Sequence, residues 1–115
     1  VFFENYKGVL PLLKRNLKNL EKLNNYEIIE KDVYNKSAFL NLKKKFNIIY
    51  IDPPFKDKNL DKILVSIREE GILDKKGIII IHRHKKEKVS FDNKFNVIEE
   101  KKYGISKIIF LNVLN

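Results

Sequence analysis

The 115 residues suffice for one compact domain and are too few for two. With 43% hydrophobic residues, no cysteine and no run near the roughly 18 apolar residues of a membrane span, the composition excludes a disordered, disulfide-stapled or membrane-spanning chain and predicts a cytoplasmic one. A net charge of +9 suits a polyanion such as nucleic acid, although only Arg15, Arg68 and Arg83 of the 24 basic residues are arginine, the type preferred for bidentate phosphate contacts.

Val1-Phe2-Phe3 reads as the end of a buried strand, closed by Glu4-Asn5. Leu10, Leu13, Leu17 and Leu20 recur at spacings of three and four and predict an amphipathic helix over residues 10–20, with Pro11 in its first turn where a missing N–H costs little. Lys14, Lys18 and Lys22 line another, solvated face. Residues 26–33 read as a strand with Asp32 near its end, and residues 37–45 as a short helix. Phe46–Ile51 is a nearly continuous apolar strand of the kind buried on both faces in parallel sheets, and it stops at Asp52-Pro53-Pro54-Phe55. Residues 57–70 form the next helix on Leu60, Ile63, Leu64 and Ile67, with Gly71 suited to its C-terminal cap. Gly77 opens a buried strand, Ile78-Ile79-Ile80-Ile81, followed by a charged loop over residues 82–88. Strands over residues 95–101 and 105–114, joined near Tyr103-Gly104, predict an antiparallel hairpin. The order β-α-β-α-β-α-β, then β-β, implies an α/β domain with a mostly parallel sheet.

In open α/β sheets, ligands bind beyond the carboxyl ends of the strands. Three consecutive predicted ends carry an acid: Glu4, Asp32 and Asp52. Asp52-Pro53-Pro54-Phe55 is the most informative. Two prolines stiffen the turn and bias the residues before them toward extended geometry. An exocyclic amine on a base or amide is a poor nucleophile because its lone pair is delocalised. Two acceptors on its N–H bonds, the Asp52 carboxylate and a backbone carbonyl, favour a pyramidal nitrogen whose lone pair can face an electrophilic methyl group. A ring such as Phe55 can stack on a flipped base and fix the angle of attack.

The Asp52-Pro53-Pro54-Phe55 element resembles the (Asp/Asn/Ser)-Pro-Pro-(Tyr/Phe/Trp) signature of S-adenosylmethionine-dependent amino-group methyltransferases. Across nearly all of its length the chain is similar to the bacterial family that methylates the exocyclic amine of a guanine in 16S ribosomal RNA. Phe2-Phe3-Glu4-Asn5 resembles that family's strand ending in the acid that bonds the cofactor ribose. Glu30-Lys31-Asp32-Val33 is similar to its adenine-side segment, and Lys102-Tyr103-Gly104 to its Lys-Tyr-Gly element. The resemblance implies a Rossmann-like class I methyltransferase sheet with S-adenosylmethionine as methyl donor. It assigns Asp52, Pro53, Pro54 and Phe55 to catalysis, and Glu4, Asn5, Asp32 and Val33 to the cofactor. Ribosomal RNA or the small-subunit particle is the implied partner.

Two features depart from the family. Gly8, Gly71, Gly77 and Gly104 are scattered, so the family's Gly-rich cofactor loop is absent, and with it the first strand. The chain also lacks methionine, so it is expected to be a piece of a longer polypeptide, with an upstream segment or a second chain completing the sheet between the strands that end at Glu4 and Asp52; direct pairing of those two strands is the other arrangement. Where the family has an acidic residue after its fourth strand, His82-Arg83-His84 stands here. With no cysteine and no third histidine, no metal site is expected. Arg83, Lys85, Lys86 and Lys88 read as a basic RNA-facing loop, and Tyr103 as a stacking residue. Ser37, Ser66, Ser90 and Ser106 lack a nucleophile-elbow context, which excludes a Ser-His-Asp hydrolase. Adenine or protein-glutamine methylation suits the same motif, and a non-catalytic basic RNA-binding fragment is the rival from another class.

Overall fold

The computed structural model describes residues 1–18, 26–39, 42, 44–54 and 58–114. By its contacts the chain divides into two units, Val1–Ala38 and Phe39–Asn115.

The first unit holds β1 (Phe2–Phe3), α1 (Leu10–Lys18) and β2 (Ile28–Ile29). β1 and β2 pair in parallel, Phe2 with Ile28 and Phe3 with Ile29. The pairing is continued by the Glu4 N–H on the Ile29 carbonyl at 3.2 Å. α1 forms as its leucine spacing predicts, with Leu10 and Leu17 buried. The Val9 and Leu10 N–H groups both bond the Tyr6 carbonyl, so Pro11 falls where the first turn needs no donor. Leu20 and Lys22 lie outside the described residues, and Lys14 is ion-paired with Glu30 at 2.6 Å. β2 is shorter than the predicted 26–33. A strand is defined by its partner, and β1 offers only two residues; beyond it Asp32 folds the chain into a turn, accepting the Tyr34 N–H on Oδ1 at 2.9 Å. Of the helix predicted over 37–45, the described residues form a 3-10 turn, Lys36–Phe39, with the Ala38 N–H on the Asn35 carbonyl, and residues 40, 41 and 43 lie outside the described residues. Ser and Asn compete with helical backbone bonds, which favours short 3-10 geometry here.

The second unit contains β3 (Phe46–Ile51), α2 (Leu60–Glu69), β4 (Leu73–His84), β5 (Phe95–Tyr103) and β6 (Ser106–Val113). Its sheet runs β3-β4-β6-β5, with β3 and β4 parallel and the other pairs antiparallel. α2 ends as expected at Gly71, whose φ is +60°. The Gly71 N–H reaches the Arg68 carbonyl and the Ile72 N–H the Ile67 carbonyl, a Schellman closure. The hairpin also forms where predicted. Tyr103 pairs with Ser106 across a two-residue loop, and φ is positive at Gly104 alone, the pattern of a type II′ turn.

Core residues of this unit are Ile63, Leu64 and Ile67 of α2, Ile79 and Ile81 of β4, and Ile109 and Leu111 of β6. Each such side chain contributes about 1.5–3 kcal/mol by leaving water. β4 starts before the predicted Gly77. It advances from Leu73 to Ile78 while β3 advances only from Phe46 to Ile48, so the chain bulges next to Gly77. β4 also runs on to His84, which corrects the predicted loop over 82–88: antiparallel pairing of His82, Arg83 and His84 with Ile108, Lys107 and Ser106 extends the strand through charged residues. Burial on both faces is corrected for β3 as well. As an edge strand it leaves Ile48 64% and Tyr50 59% exposed. Among the described residues, β1 belongs to a two-stranded sheet with β2, and β3 to the four-stranded sheet. No helix of the described residues is long and apolar enough to cross a membrane.

Candidate active site

The parallel register that pairs Ile51 with Ile81 brings the exit of β3 beside His82. Side chains two apart in a strand share a face. Gly77, Ile79, Ile81 and Arg83 are buried on one face of β4, whereas Ile78, Ile80 and His82 lie half-buried on the other. His82 therefore meets the half-exposed Asp52, with His82 Nδ1 at 2.9 Å from Asp52 Oδ1. Its other ring nitrogen, Nε2, lies 2.8 Å from Ser106 Oγ at the start of β6. Three strands thus contribute one polar group each to a single hydrogen-bonded chain.

Arg83 grips the same turn from the buried face. The residue is 3% exposed. Nη1 donates to the Pro54 carbonyl at 3.1 Å, and Nη2 lies 3.8 Å from Glu87. This placement corrects the expectation of Arg83 on an exposed basic loop. Phe55 lies outside the described residues. Tyr50, two residues before Asp52 and on its face, has its phenol held above the ordinary value of 10.0, first by partial desolvation and second by the Asp52 carboxylate.

Lys85, Lys86 and Lys88 follow β4 and border an open concavity of about 440 Å³ together with Val89, Ser90 and Lys107. Lys107 is buried, donates from Nζ to the Glu87 carbonyl, and lies 4.0 Å from Glu100. Tyr103, at the hairpin tip, is 60% exposed.

Glu4, Asn5, Asp32 and Val33 belong to the first unit. Glu4 and Asp32 follow the adjacent parallel strands β1 and β2. Each carboxylate is oriented by a backbone N–H two residues on, Glu4 Oε1 by Tyr6 at 3.1 Å and Asp32 Oδ1 by Tyr34 at 2.9 Å. A second oxygen on each suits donors such as a ribose diol or an adenine amine. These two acceptors therefore fit the hydroxyl and amine donors of a nucleoside. Among the described residues, no group of three His, Asp or Glu is arranged to hold a metal ion.

Sequence reasoning did not find the parts played by His82, Arg83 and Ser106. The His-Arg-His run was visible, but the register that puts its first two members on the Asp52-Pro53-Pro54 turn was not.

The described strands and helices form an α/β, Rossmann-like fold shared with the solved structures below. The chain belongs to the family described as Conserved hypothetical protein 95, whose model it matches over residues 1–112. It is 30% identical over 77 residues to the uncharacterized methylase RP545 of Rickettsia prowazekii (strain Madrid E), a match covering 66% of this chain and 33% of that protein. The chain thus spans about a third of the length of this curated relative. A provisionally assigned methylase from Haemophilus influenzae superposes with a TM-score of 0.77 at 23% identity, over 99% of this chain and 71% of that one. An rRNA methylase from Streptococcus thermophilus superposes with a TM-score of 0.71 at 16% identity, over 98% and 72%.

Proposed function

We propose that this chain is most of the catalytic domain of an S-adenosylmethionine-dependent methyltransferase acting on the exocyclic amine of a guanine in 16S ribosomal RNA. The observation that carries this reading is the Asp52-Pro53-Pro54 turn at the exit of β3, clamped by His82 on its carboxylate and by Arg83 on its second proline carbonyl. Family membership and the methylase and rRNA methylase names of its relatives support it.

When bound, the donor supplies an electrophilic methyl group on a sulfonium, whose departure leaves a neutral thioether. Glu4 would hold its ribose hydroxyls through paired O–H···O bonds, and Asp32 its adenine amine beside the half-buried Val33. With Asp52 Oδ1 engaged by His82, Oδ2 accepts one N–H of the substrate amine and the Pro53 carbonyl accepts the other. The nitrogen lone pair is then released from the base ring and directed at the methyl carbon. As the N–C bond forms and the C–S bond breaks, the surplus proton on nitrogen passes to the Asp52 carboxylate and from there to water. Phe55 stacks on the extruded base. Lys85, Lys86 and Lys88, with Tyr103, engage the RNA around it through phosphate contacts and stacking.

The test is transfer of labelled methyl to bare 16S RNA and to assembled 30S particles by the full-length protein. Asp52→Ala is expected to lower transfer at least about a hundredfold, the scale of losing one positioned polar group in an active site. Wild-type turnover by that variant would overturn the assignment of Asp52. Label appearing instead on adenine or on a glutamine peptide would overturn the guanine assignment.

A further inference from the structure

A carboxylate only accepts hydrogen bonds, so a neutral imidazole facing one must carry its proton on the facing nitrogen. Asp52 Oδ1 lies 2.9 Å from His82 Nδ1, which makes Nδ1 the donor. Nε2 is then an acceptor, and Ser106 Oγ, 2.8 Å away, must be the hydroxyl that donates to it. With the ring neutral, the donors run from β6 to β3: Ser106 gives to His82, and His82 gives to Asp52.

Asp52 needs such support. It sits past the last paired residue of β3 and is half-exposed, so packing alone does not select its side-chain torsions. Arg83 fixes the Pro54 carbonyl and leaves the carboxylate to be oriented by something else. His82, by contrast, stands on the β4 backbone between β3 and β6, paired with Ile108. Ser106 is held at its first position in β6 by the turn at Gly104 and by pairing with Tyr103 and His84. The connectivity copies that of a hydrolytic triad. However, Ser106 lies in a ladder flanked by strands on both sides, where neighbouring N–H groups serve strand pairing rather than an oxyanion.

We propose that His82 and Ser106 are positioning residues for Asp52. His82 holds Oδ1 so that Oδ2 alone faces the substrate amine, and Ser106 selects the ring tautomer that allows it. This rests on the methyl-transfer reading for its kinetic consequence but not for its tautomer. The chain works by orientation, so its loss lowers turnover while leaving donor affinity unchanged.

Two measurements test it. In the 115-residue chain, long-range proton–nitrogen NMR of His82 should show the Nδ1–H tautomer, and Ser106→Ala should move the ring toward a mixture. An Nε2–H ring in the unsubstituted protein overturns the proposal. In the full-length protein, His82→Ala should lower kcat about tenfold with the donor KM unchanged, the scale of one hydrogen bond to a charged group. His82→Asn, which keeps an N–H donor near Nδ1, should recover most of that loss and stands in for His82→Ala if the alanine variant misfolds. In an Asp52→Ala background the same substitutions should cost under about twofold, because a residue acting through Asp52 has nothing left to position. A full tenfold loss in that background overturns the proposal, as does an Asp52→Ala defect accompanied by an undiminished His82→Ala enzyme. If Asp52→Ala itself is harmless, the methyl-transfer reading fails instead, and the NMR result still decides the tautomer.

Discussion

Replacing Arg83 with methionine separates the stability of the second unit from the rigidity of its Asp-Pro-Pro turn. The side chain is 4% exposed, bonds the Pro54 carbonyl at 3.1 Å and lies 3.8 Å from Glu87. Methionine keeps the apolar stem, so little packing is lost. Losing a hydrogen bond from a charged donor costs about 1.5–3 kcal/mol. Part of this is offset because a guanidinium no longer has to be desolvated. The abandoned partners are not trapped either: Pro54 is exposed, and the Glu87 side chain is 38% exposed, so both take up water. The net expected loss is about 1 kcal/mol, or a fall in Tm of about 5 °C for a unit of this size. Turnover should suffer more. A displacement of about 1 Å at a reacting group costs on the order of a hundredfold, and a partly loosened turn should therefore lose about tenfold in kcat. Guanidinium unfolding and initial rates of labelled methyl transfer, measured on the same preparations, give the two numbers. A loss above about 3 kcal/mol, the range of a broken buried ion pair, would show that Arg83 is chiefly a core strut. The expected Tm shift with an unchanged kcat would refute the coupling between Arg83 and the turn.

Gly77→Ala should cost about 1–3 kcal/mol by overpacking, because the new Cβ would stand 2.5 Å from Leu73 Cδ1 and 2.9 Å from the Asp74 carbonyl oxygen; a lowered denaturant midpoint at constant m is the readout. RNA affinity should fall with salt by about −0.7 in log-log slope per neutralised phosphate on single strands, and neutralising Lys85, Lys86 and Lys88 together should flatten the slope by about 2. An unaltered slope would leave those lysines as ordinary surface. Tyr50 should ionise above 10.0 by ultraviolet titration, and Asp52→Asn should remove the carboxylate's share of that rise. Because the folded value is the higher one, any stability Tyr50 contributes is complete below pH 10.0 and is lost as pH climbs through the folded value.

Periodicity and turn chemistry in the sequence determined the parts of the fold that depend on neighbours along the chain. Leucines at three and four specified α1, and Leu60, Ile63, Leu64 and Ile67 specified α2. Gly71 and Gly104 marked the closures that need positive φ, and two prolines ended β3 at Ile51. The same local chemistry singled out Asp52-Pro53-Pro54, because a stiff turn after an apolar strand is written in consecutive residues. What lies between distant segments was decided only in three dimensions. Strand length is a property of a pair, so β2 shrank to match β1, while β4 grew through His82, Arg83 and His84 to match β6. Register is likewise invisible locally, and it is register that sends His82 to Asp52 and Arg83 to Pro54 from opposite faces of one strand. A charged tripeptide after an apolar run reads as a loop until a partner strand, more than 20 residues away, supplies the hydrogen bonds that keep it extended.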